Sequence, residues 1–161
     1  TLVLWSPKTG VVDADGVVLR TDTFHKLAIA NPKLAPYGRS AQAVLESMGL
    51  WDDMQSRIVR GQNIAQTYQF VTTGNAELGF VALSQIQKPE AEPVGSYWLV
   101  PKNRYPPIEQ QAVRLTANRT ARSFLAFLRS DNAKAVIVAY GYRLPDAEFS
   151  DRHAESGQHA P

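Results

Sequence analysis

Residues 28–51 read AIANPKLAPYGRSAQAVLESMGLW, and residues 61–85 read GQNIAQTYQFVTTGNAELGFVALSQ. Each stretch joins a loop to an amphipathic helix. In the first, Lys26 to Ala30 is a short apolar run ended by Asn31-Pro32, which reads as a buried strand. Ala41, Val44, Leu45 and Met48 then recur at helical spacing, predicting a helix over about Tyr37–Met48, with Gly49 as a C′ residue. In the second, Ile58-Val59 is a strand candidate that stops at Gly61. A helix from Ile64 to Thr73 follows, with Ile64, Ala65, Tyr68 and Val71 on one face and Gly74 after its end. Glu77 to Leu83 is another buried strand. Strand and helix signals in alternation indicate an α/β sheet.

Outward from this centre, Leu2 to Ser6 is apolar and β-prone, and Pro7 ends it. Val11 to Leu19 alternates small and apolar residues around Asp13 and the turn signal Asp15-Gly16. Gln87 to Pro93 reads as a polar loop and Ser96 to Val100 as a strand closed by Pro101. Tyr105-Pro106-Pro107 reads as a stiff linker. Beyond it the pattern is helical. Ala121, Phe124, Leu125 and Leu128 form one stripe, and Ser130-Asp131 caps a second helix ending at Tyr140-Gly141. The expected organisation is an α/β lobe over 1–105, a helix pair over 106–145 and a disordered polar tail over 146–161.

The 161 residues suffice for one domain, or slightly more, with a genuine core. Hydrophobic residues make up 44% and charged residues 20%, and no apolar run approaches the roughly 20 residues needed to cross a bilayer. A net charge of +2, scattered along the chain, gives no nucleic-acid surface. Cysteine is absent, which removes disulfides, thiolate metal sites and a cysteine nucleophile.

The chemistry lies at the two helix starts. Pro36 suits a first turn because it has no N–H to leave unpaired. Gly38, lacking Cβ, would let a ligand approach the backbone closely. Asn63 is a favoured N-cap, and Gln66 can reach back to it as in a capping box. Open N–H groups and the positive end of the helix dipole make each start an oxyanion seat. The same features also describe ordinary helices, in which Asn63 is only a cap and Tyr37 only a loop aromatic.

NPKLAPYGRSAQAVLESMGLWD (31–52), GQNIAQTYQFVTTGNAELGFVALSQ (61–85), GSYWLVPK (95–102) and SFLAFLRSDNAKAVIVAYGYRLP (123–145) together resemble the periplasmic molybdate-binding proteins of ABC importers. The resemblance runs in family order from Leu2 to Pro145. It implies a type II periplasmic-binding-protein lobe, a mixed β-sheet flanked by helices, plus the C-terminal helices of an incomplete first lobe. The ligand implied is molybdate or tungstate, with no cofactor and no directly bound metal. The implied donors are the backbone N–H groups of Tyr37 and Ile64, with Pro36, Gly38 and Asn63 supporting them. Some members add a tyrosine hydroxyl at the position matching Ala82, so this chain departs there. Family hydroxyl donors from earlier segments have no counterpart here, and the resemblance implies an N-terminally truncated form carrying half of a clamshell site. A periplasmic location and delivery to a membrane permease follow from the same resemblance. The apolar faces around Phe124, Leu125, Leu128 and Val136 then suggest self-association or a domain swap.

Two alternatives stay open: the ligand-sensing domain of a transcription regulator with the same fold, and a self-associating fragment that binds no anion. No catalytic constellation emerges. His25, His153 and His159 lack metal-ligand spacing, and Asp13, Asp15 and the Asp52-Asp53 pair read as surface turns. Ser40, Ser84 and Ser96 have no nucleophile-elbow context. Lys33 and Arg39 read as solvated loop charges, and Trp51, Tyr97 and Trp98 as core aromatics.

Overall fold

A computed structural model describes residues 1–144, so the tail reading over 146–161 lies outside the described residues. The chain divides into two compact units, Thr1–Ala112 and a second beginning at Val113.

The first unit is built on five strands: β1 (Leu2–Ser6), β2 (Leu27–Ala30), β3 (Ile58–Gly61), β4 (Leu78–Ala82) and β5 (Ser96–Leu99). Their order across the sheet is β3-β2-β4-β1-β5. β2 runs parallel to both β3 and β4, whereas β1 is antiparallel to β4 and β5. The mixed α/β sheet expected from the sequence is therefore present.

Side-chain alternation sends the strands' residues to two cores. Leu2, Leu4, Leu27, Ile29, Leu78, Phe80 and Trp98 join one cluster with Tyr37, Ala41, Val44 and Leu45 of helix α1 (Pro36–Ser47). Val3, Trp5, Ala28 and Val81 join a second with Val71 of helix α2 (Ile64–Thr72). Covering both faces explains why β1, β2 and β4 are apolar throughout rather than alternating. On the second face, the Trp5 and Tyr68 rings stack with centroids 5.3 Å apart. Gly79 lets α2 settle close to the sheet, since a Cβ there would lie 2.7 Å from a Val71 methyl.

Several expectations need correction. Of the expected α2 face, Val71 is buried and Ile64 and Tyr68 pack against the cores, but Ala65 is exposed and Thr67 is buried instead. A nine-residue helix presents only about two turns to the sheet, and the i, i+4 pair Thr67/Val71 faces it. Tyr97 is exposed rather than core. It alternates with Trp98 on an edge strand, so Trp98 enters the main core and Tyr97 points the other way. Trp51 is half-buried against that core. The Tyr105–Pro107 segment is more than a linker: the Tyr105 hydroxyl accepts from Leu2 N–H at 3.2 Å, and Ile108 packs on the main core. A short helix, α3 (Leu83–Ile86), follows β4 directly and had no sequence signal.

In the second unit, α4 (Arg119–Leu128) and α5 (Asp131–Ala139) start on side-chain caps from Asn118 and Ser130. Their apolar surface is largely uncovered, with Phe124 59% and Val136 57% exposed, while Leu125 and Leu128 are half-buried.

Candidate anion-binding site

Parallel pairing of β2 with β3 and β4 brings the carboxyl ends of all three strands to one edge of the sheet. Ala30 lies opposite Gly61, and Asn31 N–H continues the ladder to Gly61 O at 2.7 Å. From that edge α1, α2 and α3 begin. In open α/β sheets this is where ligands bind, because helix N-termini collect there.

At the start of α1, Asn31 organises the entering loop. Its carbonyl accepts from Leu34 and Ala35 N–H, and its side chain accepts from Lys33 N–H at 3.0 Å. The cap residue is Ala35, which has no side-chain acceptor, and Pro36 occupies the first helical position. The Ala35 carbonyl accepts from both Gly38 and Arg39 N–H. Tyr37 is not a loop aromatic, since its ring is buried in the main core and anchors the first turn. Gly38 also differs from expectation. The space beside it is filled by protein, and a Cβ would lie 2.3 Å from the Ala30 carbonyl oxygen. Its small size seats the helix on the end of β2 instead of leaving room for a ligand.

At the start of α2, Asn63 is in extended backbone and its side chain accepts from Gln66 N–H at 2.9 Å. Gln66 reaches back one residue further than a standard capping box, accepting from Gln62 N–H at 2.7 Å. The N–H groups of Asn63, Ile64 and Ala65 consequently have no acceptor among the described residues. Neither α1 nor α2 carries an acidic residue in its first turn, so no side chain of the helix itself neutralises the dipole. Gly61, like Gly38, permits close seating: a Cβ there would meet Thr67 Oγ1 at 2.8 Å.

Two residues escaped the sequence reading. Thr67, fully buried, donates its hydroxyl to Asn63 O at 2.9 Å. Gln85, in α3, accepts from Ala82 N–H at 2.9 Å and donates to Ile64 O at 3.1 Å. An i, i+4 hydroxyl in a helix start could have flagged Thr67. The bond to Ala82 is a local one, three residues back as in a capping box, but nothing local could have flagged the bond to Ile64, 21 residues away.

Lys33 and Arg39 are exposed and form no ion pair among the described residues. The site edge thus offers neutral amide donors, with charge only at its margin. Among the described residues no group of three or more His, Cys, Asp or Glu side chains converges to hold a metal.

Residues 1–143 match the family described as bacterial extracellular solute-binding protein. The molybdate-binding protein ModA of Azotobacter vinelandii is 51% identical over 146 residues, covering 89% of this chain and 58% of that protein. ModA of Rhodobacter capsulatus is 44% identical, covering 88% of this chain and 56% of its own length. The solved structure of the Azotobacter vinelandii periplasmic molybdate-binding protein superposes with a TM-score of 0.86 at 43% identity, over 90% of this chain and 65% of that one. The chain therefore spans less than two thirds of the length of these relatives.

Proposed function

The chain belongs to the bacterial extracellular solute-binding protein family, and from that premise we propose that it binds molybdate or tungstate for delivery to the permease of an ABC importer. The protein acts in the periplasm and performs no catalysis. The backbone N–H groups of Tyr37 and Ile64 are the donors, with Pro36, Gly38 and Asn63 shaping the turns that carry them. One observation carries the reading. Two helix starts free of acidic residues share one sheet edge, and at α2 consecutive amides have no acceptor among the described residues. ModA relatives named for molybdate binding support the choice of anion.

Neutral donors suit this task. A hydrogen bond from an N–H to an anion is charge-assisted and roughly twice as strong as a neutral one. Fixed dipoles also reward a definite geometry, so the size of the tetrahedral anion decides how many can engage. The exposed Phe124 and Val136 of the helix pair favour self-association of this chain when it is alone.

Isothermal titration with molybdate, with sulfate as the comparison, tests the reading. Heat from molybdate alone is expected. Equal heats would remove the size selectivity, and no heat from either would overturn oxyanion binding by this chain. Light scattering of the same sample tests the association, and a monodisperse monomer would refute it.

A further inference from the structure

We propose that Gln85 is a positioning residue that locks the amide pair at the start of α2 and strengthens its grip on the bound anion; this deepens the oxyanion reading above and rests on it. The side-chain amide of Gln85 bridges two backbone peptides. Its Oε1 accepts from Ala82 N–H at 2.9 Å, and its Nε2 donates to Ile64 O at 3.1 Å. That carbonyl belongs to the peptide whose N–H is that of Ala65, one of the amides without an acceptor.

A continuous relay results, from the Ala82 N–H through the Gln85 amide and the Ile64–Ala65 peptide to an outward-directed donor. Hydrogen-bonded amides in series polarise one another, so donation into the Ile64 carbonyl makes the Ala65 N–H a stronger donor. The preceding peptide is backed in the same way. Thr67 donates its hydroxyl to Asn63 O at 2.9 Å, and the N–H of that peptide is Ile64's. Adjacent peptides at the helix start are thus each held from behind by a side-chain donor. Ala65, exposed at the surface, becomes a second anion donor beside Ile64.

The tether also fixes geometry. It links the end of β4 to the start of α2, adding a polar tie to the apolar packing of Val71 on Gly79. Ala82 ends β4. It is 3% exposed, and its amide anchors the relay.

Amide NMR of the whole chain, titrated with sodium molybdate and separately with sodium sulfate, tests this in unsubstituted protein, in Gln85→Met and in Gln85→Glu. Met preserves length and removes both bonds. Glu keeps the acceptor for Ala82 N–H but presents oxygen to the Ile64 carbonyl. In unsubstituted protein, molybdate should shift the Ile64 and Ala65 resonances. Gln85→Met should weaken molybdate binding about three- to tenfold, the worth of about one hydrogen bond, and shrink the Ala65 response more than that of Tyr37. Gln85→Glu should bind molybdate more weakly still, because two acceptors then face each other where Nε2 had donated. Equal affinity and equal Ala65 shifts in unsubstituted protein and Gln85→Met would overturn the relay while leaving the oxyanion reading intact. Absence of any molybdate response in the unsubstituted protein would overturn both.

Discussion

The two edges of the sheet treat backbone amides in opposite ways. At the amino edge, charged side chains of the protein itself hold several of the loops. Asp13 accepts from the N–H groups of Asp15, Val17 and Val18 at 2.7–3.0 Å, closing the loop before the 3-10 turn Val17–Arg20. Glu77 accepts from His25 and Lys26 N–H, and Arg57 donates to the Thr21 and Phe24 carbonyls while lying over the Phe24 ring. At the carboxyl edge no carboxylate appears in the first turns of α1 and α2, and the amides of Asn63, Ile64 and Ala65 have no acceptor among the described residues. Asp13 shows what such a nest of amides holds when the anion is built in. The α2 start, by contrast, has no carboxylate of its own in its first turn, which is the feature the proposed oxyanion site uses.

Gly38→Ala should break the comparison most severely. A Cβ at 2.3 Å from the Ala30 carbonyl oxygen meets backbone, which cannot swing aside. Overpacking of this kind costs about 3 kcal/mol, and chemical denaturation should show it together with loss of molybdate binding. A melting curve unchanged by this substitution would mean that α1 is seated differently.

Ile64→Pro separates the donor from the fold. Position 64 is the first of α2, where proline is compatible with a helix, and Asn63 before it is already extended. The variant loses one donor to the anion, worth about 2 kcal/mol for a charged acceptor. Calorimetry should therefore record a loss of molybdate affinity on the order of 30-fold with the fold retained by circular dichroism. Retained affinity would remove Ile64 from the site.

Asp13→Asn attacks the opposite edge. Loss of a charged cap on an exposed turn costs about 1 kcal/mol at most, after solvent screening. The melting temperature should fall slightly while the molybdate isotherm is unchanged, and altered binding would show that the two edges communicate.

The smallest effect is in acid. Burial acts to raise the Asp13 carboxyl, but backbone bonds from Val17, Val18 and Asp15 outweigh it and hold the pKa below its ordinary value. Glu77 follows the same pattern, with desolvation opposed by bonds from Lys26 and His25. Both groups thus bind protons less readily folded than unfolded, so their ionised forms stabilise the fold. That contribution is complete above the unfolded-state carboxylate range and is lost as pH falls through the lower folded values. Thermal melts should be flat from neutral pH to about pH 5 and decline below it, with a shallower decline in Asp13→Asn and Glu77→Gln.

Much of this architecture was legible locally. The strands over Leu2–Ser6 and Leu27–Ala30, the helices beginning near Pro36 and Ile64, and the caps Asn63 and Ser130 follow from apolar spacing and turn chemistry. Those signals depend on neighbours within a few residues, so one sequence carries them in full. Other features depend on register. Which face Tyr97 takes follows from its pairing with Trp5 at the sheet edge, and α3 exists where β4 ends against Thr1.

The sequence by itself determined that this chain makes an α/β sheet whose first two helices start without acidic residues, α2 behind an Asn63 cap, because periodicity and end residues are local properties. Only the tertiary structure decided that those starts share one edge, that Gly38 serves packing, and that Gln85 reaches the Ile64 carbonyl. The physical reason is that parallel pairing joins segments some thirty residues apart, and no local propensity specifies which amides that pairing leaves open.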